Sequence, residues 1–263
     1  MELNDIQRAS QEQFARQSHR YGKGHILEQT HDLERALAHL DLPDSADVLD
    51  VATGGGHTGV FFAKLGHRVT ATDLAAPMLE RATQLATEVG VSITTKQHPA
   101  EEFPYNAGSF DLVTCRVAPH HFSSPADFVK ESARVLRPGG QFLLIDGTVQ
   151  DDQVKAENWL HQIEKLRDPS HNRFLTPDHW KTLCNQAELQ PTHVEIYEKS
   201  QPDLEWYFDA AHTPEENRTT ILDLIETVPA PVREFFQLRT AEGRISWQWQ
   251  MLLLIAGKIR ETT

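Results

Sequence analysis

Three glycines, Gly54, Gly56 and Gly59, fall at GxGxxG spacing directly after the apolar run VLDVA that begins at Val48. Where a chain reverses from a strand into a helix, glycine accepts the tight dihedrals and lets a ligand reach contact distance of the main chain. Asp73 closes the next β-branched run, HRVTATD, at a strand end where a carboxylate can accept two hydrogen bonds from ribose hydroxyls. Either element alone is often a plain turn or a solvated carboxylate. Together, at the ends of successive strands, they describe a site for an adenosine-containing ligand, either a dinucleotide or S-adenosylmethionine.

Candidates for acid and base chemistry lie further along the chain. His120 and His121 follow the strand-like run FDLVTCR, and ligands of open α/β sheets bind beyond the carboxyl ends of strands. The loop Asp168-Pro169-Ser170-His171-Asn172-Arg173 gathers a carboxylate, an imidazole and a guanidinium. There His171 suits proton transfer and Arg173 suits an anionic substrate group, while Asp168 and Ser170 equally suit a helix-capping turn. Phe14, Gln17, Tyr21 and His31 are placed to close over a ligand from the N-terminal side, with Tyr21 and His31 as substrate contacts. Trp206, Tyr207, Phe208, Phe235 and Phe236 read as helical core before they read as a pocket lining. No metal is expected: the 14 histidines include no HxH or HExxH spacing, and the adjacent pair His120 and His121 should diverge on a regular backbone. Cys115 and Cys184 are too far apart in sequence to suggest a disulfide framework or a thiolate zinc site.

The elements that must position these residues alternate. ADVLDVA, HRVTATD, SITTKQH, FDLVTCR and QFLLIDG read as strands; HTGVFFAKLG, APMLERATQLATEVG and SSPADFVKESARVL read as helices between them. This is the pattern of βαβ units on a parallel sheet. Gly66 and Gly90 stand where a helix ends in a left-handed residue, Ser124 and Pro125 form an N-cap and first helical position, and RPGG at 137–140 reads as a turn. Residues 151–190 predict two helices, the first with Val154, Trp159, Leu160, Ile163 and Leu166 on one face. THVEIYEKS and ISWQWQMLLLIAGKI predict two late strands around a mostly helical stretch.

VLDVATGGGHTG, with Asp50 four residues before Gly54, resembles motif I of class I S-adenosylmethionine-dependent methyltransferases. Four further pieces resemble that family in order: VTATDLAAPMLERA, AEEFPYNAGSFDLV, CRVAPHHF and ARVLRPGGQFLLID. The nearest likeness is to the ubiquinone and menaquinone biosynthesis type, over roughly residues 46–150. The resemblance implies a Rossmann-like α/β fold: a doubly wound seven-strand sheet with an antiparallel last strand and helical lid insertions. It implies a helical cap at 1–45, a cofactor-binding core at 46–150, a lid and sixth strand forming the substrate region at 151–243, and a final strand at 244–263. It further implies that Asp50 and the Gly54 to Gly56 backbone face the methionine part of S-adenosylmethionine, Asp73 the ribose, and Leu74, Ala100 and Glu101 the adenine, with Ala52, Thr53 and Arg116 also on the cofactor side. Ala52 replaces a glycine common in the family at little expected cost, and Pro99 replaces a common aspartate at the adenine edge. The expected reaction is methyl transfer to a small-molecule oxygen, nitrogen or carbon nucleophile. A nicotinamide-dependent oxidoreductase and a non-methylating cofactor-binding protein are the alternatives.

Composition narrows the partners. The 263 residues carry 25 Lys and Arg against 38 Asp and Glu, a net charge of −13 with no basic block, which argues against nucleic acid as substrate. The polar N-terminus and the lack of an apolar run near 20 residues predict a cytoplasmic protein without an integral membrane segment. The aromatic-rich insert is a possible homodimer surface.

Overall fold

The computed structural model describes residues 3–21, 25–201, 203–241 and 244–259. Its main sheet has seven strands in the order β3-β2-β1-β4-β5-β9-β6. The first five are β1 (Asp47–Val51), β2 (Arg68–Asp73), β3 (Thr94–Gln97), β4 (Phe110–Arg116) and β5 (Leu136–Thr148). These pair in parallel, and β9 (Gln248–Lys258) runs antiparallel between β5 and β6 (Leu189–Ser200). The strand order reverses between β1 and β4, so the crevice for a ligand opens at their carboxyl ends.

The buried runs of β1, β4 and β5 explain why these segments are central strands: both of their faces are covered. One face packs Leu49, Val113 and Leu144 against Phe128 of α5 (Pro125–Val135) and Trp180 of α7 (Pro177–Gln186). The other packs Val48, Leu112 and Ile145 with Leu33 of α2 (His31–Leu37) and Phe62 of α3 (His57–Lys64). Helix α4 (Ala76–Glu88) lies against β2 and β3, and α1 (Asp5–Gln17) lies against α4. Helices α6 (Val154–Arg167), α8 (Leu204–Ala211), α9 (Glu215–Glu226) and α10 (Ala230–Phe235) form the insert. Its own core contains Trp159, Ile163, Tyr207, Phe208, Phe236 and Trp247. No described helix is long and apolar enough to cross a membrane.

Local punctuation follows the sequence closely. The Ser124 hydroxyl accepts from the Asp127 N–H, and Gly66 and Gly90 take φ of +93° and +75°. Three details differ. The RPGG turn is absorbed into β5 as a register shift between Phe110 and Leu112 of its partner strand. Val154 is exposed, so the buried face of α6 begins later, at Ala156 and Trp159. The segment from Ile245 is also not one strand. Arg244–Ser246 (β8) pairs with Arg239–Ala241 (β7) in a separate hairpin, and the buried Trp247 separates β8 from β9. Residues 260–263 of the expected final strand lie outside the described residues.

Ala52 has φ of +53°, the left-handed region. The cost of an alanine in place of glycine is therefore conformational rather than a matter of side-chain size. Left-handed backbone costs an L-residue roughly 1–2 kcal/mol, against which glycine loses about 0.5–1 kcal/mol more in ordering. Ala52→Gly is expected to raise stability by up to about 1 kcal/mol in urea unfolding; destabilisation would show that the alanine methyl makes a compensating contact.

Candidate active site

Two cavities open at the carboxyl edge of the sheet and share a wall. The first encloses about 600 Å³, its open mouth included, between α1, the β1 and β2 termini and the segment after β3. Ala52, Leu74, Ala100 and Phe122 make it apolar, while Asp73, His98 and Glu101 supply polar edges. The Asp73 carboxylate accepts from the N–H groups of Gly54 (3.0 Å) and Ala75 (2.9 Å). Burial nonetheless outweighs these bonds and raises its pKa to about 6. Asp50 is more deeply buried, and its pKa rises to about 7 even though the Thr53 hydroxyl donates to it at 2.5 Å.

Helix α1 roofs this cavity with polar side chains. Gln11 donates to the Leu74 carbonyl, Gln7 to Glu101, and Ser10 to the His121 carbonyl, while Gln13 and Gln17 reach the carbonyl of Ala211 in α8. Past α1, the chain lies on the glycine turn. A Cβ on Gly55 would fall 2.2 Å from the Tyr21 carbonyl oxygen, so only glycine permits this approach. Gly56, at φ +90°, presses against Ala82 of α4, and Gly59 packs near Asp50 and Val69.

The second cavity, about 950 Å³ with its mouth, lies between α6, α8, Tyr21, the His25–Leu27 segment and the ends of β5, β6 and β9. His120, His121 and His171 all line it. The one-turn helix Pro119–His121 brings the first two rings within 4.2 Å of each other, so they converge where divergence was expected. His171 stands 5.3 Å from His120 and 6.3 Å from His121, centre to centre. His121 also lines the first cavity and packs edge-on to Phe14.

These imidazoles are electrostatically distinct. His120 Nδ1 lies 2.7 Å from Asp146 Oδ1, and Asp146 has no solvent exposure. Burial pushes the His120 pKa down, but the charge and hydrogen bond of Asp146 outweigh it, and the net shift is upward. Burial, and then the charge of His120, depress His121 to about 3 and hold His171 lower still. One basic imidazole thus stands beside two neutral ones. Asp146 is a functional candidate that the sequence reading passed over, although a carboxylate inside the apolar run QFLLIDG was its signal. His98, Glu164, Arg167 and Lys199 were likewise missed.

Other expected site residues are placed differently. His31 sits at the exposed start of α2 beside Glu34, and Arg173 extends into solvent to pair with Glu157; neither lines these cavities, because each finds its partner at the surface. Arg116 is buried and committed to structure: it pairs with Asp32 at 2.8 Å and donates to the Leu27 and Gln29 carbonyls. Asp50, Thr53, Gly54 and Gly56 shape the turn without lining either cavity. Glu101 accepts from Ser123, Ser124 and Gln7, which ties α1 to the cavity rim. Pro99 offers its carbonyl to His98 Nδ1. Tyr207, Phe208 and Phe236 are core, with Phe235 packed against it, whereas Trp206 lines the second cavity.

An apolar slot for a flat base, a buried carboxylate at the second strand's end and a glycine turn beside it fit the adenosine part of S-adenosylmethionine. The comparisons with known proteins agree. Residues 49–144 match the methyltransferase domain family. The uncharacterized methyltransferase YcgJ of Bacillus subtilis strain 168 is 33% identical over 177 residues, 67% of this chain and 70% of that protein. A solved structure of a Bacillus halodurans C-125 protein described as a methyltransferase superimposes with a TM-score of 0.82 at 31% identity, over 87% of this chain and 99% of the other. A ubiquinone biosynthesis O-methyltransferase of Xanthomonas axonopodis pv. citri is 38% identical over 113 residues, 43% of this chain and 47% of that enzyme. The chain belongs to the class I S-adenosylmethionine-dependent methyltransferases. Its cofactor is S-adenosylmethionine, and the nicotinamide alternative is not favoured.

The buried Arg116 and Asp32 pair gives a direct check on the structural role of Arg116. Arg116→Met leaves the Asp32 carboxylate uncompensated and is expected to cost about 3–5 kcal/mol in urea unfolding. The double variant Arg116→Met with Asp32→Asn should lose less than Arg116→Met alone. With Asp32→Asn measured alone, a double-variant loss equal to the sum of the two single losses would show that the side chains are not energetically coupled.

Proposed function

We propose that the protein methylates an oxygen, nitrogen or carbon nucleophile of a small-molecule acceptor seated in the second cavity, with His120 as general base. The observation that carries this reading is the His120 and Asp146 pair, set in a cavity that shares His121 with the adenosine-shaped one. When bound, S-adenosylmethionine supplies a methyl group already activated on a sulfonium sulfur, so the protein's contribution is alignment, desolvation and proton handling. Asp73 would hold the ribose, and Leu74 and Ala100 the adenine with His98 at its edge, while the Gly54 to Gly56 turn, covered by Tyr21, lines neither cavity. Phe14 and Tyr21 close the site to water.

Asp146 accepts the Nδ1 proton of His120, which leaves Nε2 as the basic nitrogen. That nitrogen takes the proton of the acceptor's nucleophile, and the Asp146 carboxylate stabilises the resulting imidazolium. His121 and His171, neutral at physiological pH, add no competing positive charge. The kinship with ubiquinone biosynthesis O-methyltransferases favours an oxygen nucleophile.

The cofactor half is tested by calorimetric titration with S-adenosylhomocysteine. Asp73, whose pKa lies at about 6, must be ionised to accept from the ribose hydroxyls. Affinity should therefore be full above about pH 7 and fall as the pH drops through 6. Asp73→Asn should weaken binding about 10- to 100-fold and flatten this profile, as expected for hydrogen bonds to a charged acceptor. Unchanged affinity in Asp73→Asn at pH 8 would exclude the ribose role.

The base is tested by acceptor screening and by NMR titration of the imidazoles. His120 is expected to titrate above 6.5, and Asp146→Asn should bring it below that value. With an acceptor found by release of S-adenosylhomocysteine, His120→Ala should lower kcat by about 10²–10⁴-fold, the usual worth of a positioned base. Unchanged kcat in that variant would remove His120 from proton transfer.

A further inference from the structure

The ionisable groups lining the second cavity are nearly all matched. Glu164 accepts from Arg167 and from the Tyr207 hydroxyl, Asp168 accepts from Ser170, and His120 is paired with Asp146. The neutral His171 leaves its buried Nε2 without a partner, and among the charged groups the exception is Lys199. This half-buried β6 residue lines the cavity, and its ammonium has no hydrogen bond or ion pair among the described residues. The nearby carboxylates are committed elsewhere: Asp32 to Arg116, and Glu195, further along β6, to Arg35. Arg116 and His25 stand close enough to repel a charge at Lys199, and burial together with Arg116 lowers its pKa.

Directly across the sheet, Lys199 pairs in register with Trp249 of β9, which places both side chains on one face. Trp249 also lines the cavity, and its buried indole N–H has no acceptor among the described residues. The apolar part of the cavity wall includes Ile26, Leu27, Phe174, Trp206 and Met251. Binding pockets commonly combine such walls with a few polar groups that fix orientation, and an ammonium facing the cavity without a counter-ion is such a group.

We infer that the methyl acceptor carries a single anionic group, a carboxylate or a phosphate, that binds at Lys199 while its apolar body lies along Trp206, Trp249 and Met251. The ammonium gains its missing counter-ion, and the acceptor is held by one end in the cavity that contains His120. This inference rests on the reading of that cavity as the acceptor site. It predicts that neutral molecules of the same shape are poor ligands.

The test uses the full chain saturated with S-adenosylhomocysteine and three probes of one shape: 2-naphthoate, 2-naphthyl phosphate and the uncharged 2-naphthamide. Binding is followed by calorimetry and by quenching of tryptophan fluorescence. At least one anion should bind tenfold or more tightly than the amide, and the tighter anion distinguishes carboxylate from phosphate. The preference should vanish in Lys199→Met and in Lys199→Gln, and persist in Lys199→Arg, with thermal unfolding used to confirm that each variant is folded. Equal binding of amide and anions, a preference that survives Lys199→Met and Lys199→Gln, or no binding of any probe would overturn the anion site. The preceding S-adenosylhomocysteine titration separates the two readings. Cofactor binding without an anion preference sinks only the Lys199 proposal, whereas absence of cofactor binding sinks the reading beneath it.

Discussion

Four ionisable side chains are buried at the carboxyl ends of neighbouring strands: Asp50 on β1, Asp73 on β2, Arg116 on β4 and Asp146 on β5. A polar or charged group withdrawn from water must find partners, and the partners of these four come from the segments that form the site. Asp50 and Asp73 organise the glycine turn through Thr53 and the Gly54 N–H. Arg116 draws in the Leu27 to Asp32 segment, and Asp146 fixes the imidazole of His120. The glycine turn, the N-terminal cover and the placement of the His120 imidazole are thus consequences of one requirement applied along one sheet edge.

Between these strand ends and solvent lies α1, whose inward residues Ser10, Gln13 and Gln17 are polar and buried. They are satisfied by carbonyls of distant segments, so the helix is held by directional bonds more than by an apolar stripe. The same helix touches both cavities through Phe14, Gln17 and the chain that leads on to Tyr21. His121, under Phe14, is the wall between them.

Much of the sheet was legible because its signals are local. The strand, glycine turn, helix and Asp73 succession, the Ser124 cap and the glycine helix ends all follow from residues within a few positions of one another. Ala52, Leu74 and Ala100, which the family resemblance put on the cofactor side, line the first cavity. His120, His121 and His171 were legible as candidates, though not as a cluster, because the one-turn helix that turns the first two together is not a regular element. His31 and Arg173 lie at the surface with Glu34 and Glu157, a placement that a charged residue's sequence position does not reveal. The polar inward face of α1 was hidden from hydrophobic periodicity, which marks burial only when the buried residues are apolar.

The sequence by itself determined the parallel βαβ core, the family and the cofactor, because these rest on short-range patterns of glycine, carboxylate and β-branched runs. Only the tertiary structure decided what surrounds the reacting groups. Asp146 meets His120 across 26 residues of chain, and Lys199 meets Trp249 through the antiparallel pairing of β6 with β9. In sequence, Lys199 belongs to an alternating strand whose charges look solvated. It becomes a cation facing a cavity because β9 inserts between β5 and β6 and the helical insert closes above them, an arrangement set by packing between distant segments rather than by any local preference.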